Sequence, residues 1–211
     1  MATLDAKNQL TTLDRASEYL GESTGSTGLD GRIVAAINAA SLRANSLTGR
    51  QLKQRSHDEV YDGDGSRRLM LNQYPVVSSS STLQLYITST RDDFSSSTDF
   101  DTQVDWEDIN VNTEKGELFI KDQSFTLGNE NVRVVYTAGY DTTSAATTTA
   151  NHIPGDLQDA VHELLAFQWE KQRRRAWVTR TISHDDGSMS YFDTIPMTAM
   201  SVIEEYRDWR Q

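Results

Sequence analysis

The sequence predicts an α+β fold, a small α-helical bundle of about four helices interrupted by an inserted antiparallel β domain. Three observations carry that prediction. Apolar residues recur at helical spacing near both ends of the chain. Between them, from residue 51, the period shifts toward two. Neither helical end is large enough to bury a core alone, so the two belong to one bundle. The boundaries are residues 1–50 and 151–211 for the bundle, 51–140 for the insertion and 141–150 for a linker.

The first helix is predicted over residues 10–20, with Leu10, Leu13, Ser17 and Leu20 on one face and Gly21 as its stop. The polar, Gly-rich run from Gly21 to Gly28 reads as a flexible loop, and Asp30 as the N-cap of the second helix. That helix carries a stripe of Ile33, Ile37, Ala40, Ala44 and Leu47, with Val34 beside it, and ends at Gly49. Arg32, Asn38 and Arg43 take its opposite face.

In the insertion, Leu52 to Tyr61 is a strand candidate. Asp62-Gly63-Asp64-Gly65 reads as a hairpin turn, with Arg67 to Asn72 returning as the partner strand. Pro75 breaks the ladder. Leu83, Leu85 and Ile87 alternate with polar neighbours and form another strand. Residues 91–101, acidic and serine-rich, read as a solvated loop. Ile109-Asn-Val111 and Leu118-Phe-Ile120 flank Asn112–Gly116 as a hairpin, and Val132 to Ala138 is the last strand. The total is about six strands.

Residues 141–150 are nearly all Thr, Ser and Ala. Pro154 and Asp156 then open the strongest helix, with Leu157, Ala160, Val161, Leu164, Phe167 and Gln168 at helical spacing. Lys171, Arg173, Arg174 and Arg175 load its C-terminal end, where the helix dipole favours cations. Its length is roughly 30 Å at 1.5 Å per residue. Ser183 to Ser188 reads as a turn-rich loop. Pro196 opens the last helix, whose apolar side is Met197, Met200, Ile203 (with Val202) and Tyr206.

Composition narrows the function. The net charge is −11, from 20 Lys+Arg against 31 Asp+Glu, and this argues against a protein that grips duplex DNA through a basic stripe. Hydrophobic residues make up only 36 %, low for a globular chain but above the disordered range. There are no cysteines, which removes disulfides, thiolate catalysis and Cys-based metal sites. No apolar run approaches the roughly 20 residues that span a bilayer. Asp5 and Lys7 are followed by no apolar core, so no signal peptide is expected.

No set of residues nominates a catalytic site, and neither an enzyme nor a cofactor is expected. His162-Glu163 begins like a zinc-protease helix, but position 166 is alanine where the second His belongs. Asp62-Gly-Asp64-Gly lacks the further oxygen ligands and distal Glu of a calcium loop. Gly21–Gly28 has no lysine to reach a phosphate. No Gly-x-Ser-x-Gly elbow occurs, and His57, His152, His162 and His184 have no partners that the sequence singles out. The run Lys171-Gln-Arg173-Arg174-Arg175 with Trp177, and Trp209 near the end, is the candidate protein interface. Arg pairs bidentately with carboxylates, and Arg and Trp are enriched in interface hot spots. The plain reading of the same run is a solvated helix end.

A further pattern lies at Tyr61-Asp-Gly-Asp-Gly-Ser-Arg-Arg-Leu-Met-Leu-Asn-Gln-Tyr-Pro-Val76. It is preceded by Leu47-Thr48-Gly49-Arg50. It is followed by Val134-Val-Tyr-Thr-Ala-Gly-Tyr140, Ile153-Pro-Gly-Asp-Leu157 and Ile195-Pro196. In this order the chain resembles the head–tail connector, or adaptor, proteins of long-tailed bacteriophages over about residues 10–210. The resemblance implies a helical bundle with an inserted β domain and a structural role without catalytic residues. Its copies form a ring, commonly dodecameric, beneath the portal protein at a capsid vertex. The ring extends the DNA channel, through which DNA passes without sequence-specific binding, and offers a platform for the next neck or tail-completion protein. The place implied is the virion neck, after assembly in the host cytoplasm. The alternatives are a tail-terminator or tail-completion protein, which is usually more β-dominated, a hydrolase with a dispersed site, and a carbohydrate-binding module with Trp106 in a groove.

Overall fold

The computed structural model describes residues 3–88, 102–142, 151–174, 180–184, 187–191 and 195–208. The fold is mixed α and β, with helices at both ends and antiparallel sheets between them. The chain divides into two compact units. Described residues 3–52, Thr142 and 153–208 form a helical unit, and 53–141 with Asn151 and His152 form a β unit.

In the helical unit, α1 (Leu13–Leu20) starts at Thr12, whose hydroxyl accepts the Arg15 N–H, and stops at Gly21 in the left-handed conformation. Leu10, expected inside this helix, precedes it and is buried. α2 (Thr27–Thr48) begins three residues before Asp30, after Ser26, so Asp30 is a first-turn residue and not the cap. Its carboxylate instead accepts the Gly25 N–H at 3.2 and 3.3 Å, folding the loop back onto the helix start. Gly28, expected in the loop, is helical. The apolar stripe holds, since Ile33, Ile37, Ala40 and Ala44 are fully buried. α3 (Gly155–Arg174) buries Leu157, Ala160, Val161, Leu164, Leu165 and Trp169, and it packs on α2. α4 (Met197–Glu205) follows Pro196 and packs on α3. Its inward residues are Ala199 and Ile203, whereas Met197, expected on the apolar side, is 84 % exposed. The inward spacing starts at 199, and Met197 falls outside it.

Of residues 183–188, expected as a loop, 183, 184, 187 and 188 are strand residues: β8 (Arg180–His184) pairs antiparallel with β9 (Gly187–Tyr191), the last two strands in chain order. Ile182 pairs with Met189 in its register. The alternation of Ile182 with Thr181 and Ser183, and of Met189 with Ser188 and Ser190, is a strand signal in both stretches.

Seven strands of the β unit are described: β1 (Arg55–Gly63), β2 (Arg68–Met70), β3 (Leu83–Ile87), β4 (Thr102–Gln103), β5 (Ile109–Asn112), β6 (Glu117–Ile120) and β7 (Gly128–Ala138). One sheet has the order β1-β7-β3-β4 and another β2-β6-β5. Both contribute to a single core that includes Leu71, Leu85, Leu118, Ile120, Phe125 and Tyr136. The β5–β6 hairpin forms as expected, with Asn112 opposite Glu117.

The expected pairing of the first two strands does not occur. β1 pairs with β7, and β2 with β6, so Asp62–Gly65 carries the chain from one sheet to the other. β1 runs through Gly63, whose N–H donates to Asn131 Oδ1 at 2.8 Å, and the Gly65 N–H then bonds the Phe125 carbonyl. Long-range ladders on both sides thus override the local turn signal. β1 also starts at Arg55 and not at Leu52, because Leu52 is buried in the helical unit with its N–H on Asn45 Oδ1. The stretches 91–101 and 143–150, expected as loop and linker, lie outside the described residues.

Candidate assembly surfaces

α3 carries half of the predicted interface residues, Lys171, Arg173 and Arg174. Its first turn is fixed by the Asp156 carboxylate, which accepts the Leu157 N–H at 2.8 Å and the Tyr206 hydroxyl at 2.8 and 2.9 Å. Its buried side is held by the apolar ridge and by the Arg32 guanidinium lying 5.6 Å from the Trp169 ring centre. At the far end Arg173 is exposed and 3.6 Å from Glu170 one turn back. An exposed pair of this kind contributes little to stability, which leaves its charge open to exchange with a partner. Lys171 is half-buried, and Arg174 closes the helix. Arg175, Trp177 and Trp209 lie outside the described residues.

Two histidines, His162 and His57, are buried, each among neighbours of its own unit. His162, buried on α3, has Nε2 2.9 Å from the Thr11 hydroxyl and its ring 4.9 Å from Tyr19. Burial holds it below the ordinary imidazole range, while Asp159 pulls the other way. His57 on β1 stacks on Tyr136 at 5.3 Å and is likewise depressed by burial. Among the described residues no group of His, Asp and Glu has the geometry of a metal site. The carboxylates of the Asp62–Gly65 segment serve the backbone. Asp62 Oδ1 accepts the Glu130 N–H, and Asp64 Oδ1 accepts the Ser66 N–H at 2.8 Å.

An open cleft of about 510 Å³ lies on the outward face of the β2-β6-β5 sheet. Its lining includes Arg68, Asn110, Asn112, Glu117 and Phe119, with one ion pair, Arg68–Glu117 at 3.4 Å. Its lining has no histidine or serine and includes Thr113 and Glu114. Trp106, the aromatic of the carbohydrate alternative, packs half-buried against the β core.

The motif residues have physical roles beyond turn and strand signals. Glu59 is the centre of a polar cluster that the sequence does not announce. It accepts the Tyr136 hydroxyl at 2.7 Å, the Tyr61 hydroxyl, and the Asn72 amide at 3.4 Å. Tyr136 also accepts the Gln73 N–H at 3.1 Å, which pins the segment before the cis Tyr74–Pro75 bond. Burial and the Glu59 carboxylate push both phenols well above the ordinary tyrosine range. Gly139 has φ +106, and a Cβ there would lie 2.6 Å from the Lys53 backbone. In Leu47-Thr48-Gly49-Arg50, Gly49 caps α2 in the left-handed conformation. The Arg50 side chain donates to the Tyr206 carbonyl at 3.0 Å, and the Asp208 N–H to the Thr48 carbonyl at 3.0 Å. These bonds tie the end of α2 to the end of α4.

Comparison with solved structures finds the same fold in two particles. A chain of the neck of an empty GTA particle, computed with C6 symmetry, matches with a TM-score of 0.57 at 15 % identity, covering 98 % of this chain and 94 % of that one. A chain of the virion of the native gene transfer agent (GTA) particle matches with a TM-score of 0.56 at 17 % identity, covering 98 % and 93 %. No curated protein matches the chain by sequence. The family described as head completion protein matches residues 9–209, which takes in all four helices and every described strand. The chain therefore belongs to the head completion protein family.

Proposed function

We propose that this head completion protein works as a ring-forming adaptor in the virion neck, joining the portal vertex of the capsid to the tail and extending the DNA channel. The observation that carries this is the match of a head completion family over residues 9–209, which leaves no described element unexplained. The likeness to a chain of a GTA neck, over 98 % of this chain, supports the same placement. A dodecameric ring agrees with the sixfold operator applied to that neck. The portal protein and the next neck or tail-completion protein are the proposed partners. Lys171, Arg173, Arg174, Arg175, Trp177 and Trp209 are the proposed contact residues. The role asks for binding surfaces and no bond-making step, and the exposed charged end of α3 fits that demand.

Electron microscopy of purified portal complexes, with and without this protein, tests the reading. The expected result is an added ring of density beneath the portal. Portal particles that look the same in both preparations would refute it.

A further inference from the structure

We infer that the solvent-facing ridge of α3 is the seat for the basic C-terminal end of α3 from a second copy, in a head-to-tail contact. This rests on the ring reading above and names the surfaces that would build the ring. The ridge is Asp156, Asp159, Glu163, Ala166, Glu170 and Arg173, spaced by alternating steps of three and four on one helix face. The opposite face is the buried apolar side already described. The ridge is thus acidic for most of its length and ends in a cation.

Local needs of the helix account for only part of this. The helix dipole rewards a carboxylate in the first turn, which covers Asp156 and not Glu163 or Glu170. Asp159 and Glu163 stand four apart, a like-charge spacing that weakens a helix. Asp159 is exposed, and its carboxylate has no hydrogen-bond or ion-pair partner among the described residues. Glu163 is held in place by the Thr198 hydroxyl of α4 at 2.5 Å. The rims of the ridge are apolar and open. Tyr19, its ring tilted beside His162, is 48 % exposed, and Met197, next to Thr198, is 84 % exposed. Carboxylates between apolar rims suit the long side chains of Lys and Arg, whose stems pack while their heads pair.

The occupant follows from charge complementarity. The same helix presents Lys171 and Arg173 at its other end, about 20 Å along the axis from Asp159 at 1.5 Å per residue. In one copy Arg173 reaches only Glu170, at 3.6 Å, and Asp159 and Glu163 lie too far along the axis to meet the basic end. In two copies the two patches match. A contact between two different patches is heterologous and leaves a free patch on each side, as a ring requires.

The test uses the full chain and its self-association by sedimentation velocity, at up to about 1 mM protein and low salt, where exposed charge pairs are least screened. The expected result is association beyond a dimer that weakens on raising salt. The ridge variant D159K/E163K and the end variant K171E/R173E should each weaken it at least tenfold, and mixing the two should restore it. All four positions are outside the core, and melting curves together with the milder D159N confirm that the variants fold. Association that ignores both reversals overturns the inference while leaving the ring reading intact, since portal microscopy decides that separately. A species that stops at two copies, or a chain that stays monomeric throughout, overturns it as well.

Discussion

The two units of this protein are built on opposite terms. The β unit closes its core with close approaches of backbone and with partly buried hydrogen bonds centred on Glu59, Tyr61 and Tyr136. The helical unit closes its core with an apolar stripe on α2 and α3 and takes in buried polar residues beside it, Thr11, Ser41, Arg50 and His162 among them. The first is restricted in space at its strand ends, as at Gly63 and Gly139, whereas the second has room inside α2, as at Gly31.

The largest expected effect separates them by one kind of substitution made twice. A Cβ at Gly63 would sit 1.8 Å from the Thr126 carbonyl oxygen and 2.8 Å from Asn131 Oδ1. Gly63→Ala must move backbone, and it should destabilise the β unit by about 3 kcal/mol or more. Gly31 lies inside α2 with nothing within 4 Å of its added Cβ. Gly31→Ala should stabilise the helical unit by about 0.5–1 kcal/mol through helix propensity. Urea unfolding read by far-UV circular dichroism checks both signs. Equal effects would mean that the two units share one tolerance for added bulk.

The second effect probes the polar cluster. Tyr136→Phe removes the hydroxyl that donates to Glu59 and accepts from the Gln73 N–H, both on the buried side of the sheet. Two groups lose a partner, and the cost should be about 1–3 kcal/mol. Tyr206→Phe is the matching change in the helical unit. Its hydroxyl bonds an exposed Asp156, where water replaces the lost partner, so the cost should stay below about 0.5 kcal/mol. Thermal melts of the two variants rank them.

How much of this was legible follows from where each signal lives. The helices were readable because Ile33, Ile37, Ala40 and Ala44 bury one stripe, and because Gly21 and Gly49 mark the stops. The β5–β6 hairpin was readable for the same local reason, since its partners are a few residues apart. The pairing of β1 with β7 was not. Arg55 and Ala138 are far apart in sequence, and the Asp-Gly-Asp-Gly run between β1 and β2 argues for the nearer partner. Glu59 was invisible as a hub because its three donors come from β1, β7 and the turn before Pro75. Of the candidate interface, the composition of the α3 end was plain. The acidic ridge emerged only once burial fixed which face of α3 meets solvent.

The smallest expected effect is a pH dependence with the same sign in both units and a different residue behind each. Burial lowers the folded-state pKa of His162 in the helical unit and of His57 in the β unit. Asp159 opposes the shift at His162 and Arg15 adds to it, while Glu59 and Arg55 play those parts at His57. A depressed imidazole binds its proton more weakly folded than unfolded. Above the unfolded value of 6.5 both states are neutral, and the stability is fully present. As pH falls below 6.5 the unfolded chain takes up protons first, and stability is lost down to the folded pKa. Stability between pH 7 and 5 should therefore decline, and the decline should become shallower in His162→Gln and in His57→Gln. Trp106 lies in the β unit and Trp169 in the helical unit, so fluorescence of a Trp106→Phe variant isolates the helical part. If the His162 variant flattens the pH profile of that signal and the His57 variant leaves it unchanged, the two units titrate independently. If each histidine moves the whole profile, they unfold as one, and the contrast between them is confined to the native state.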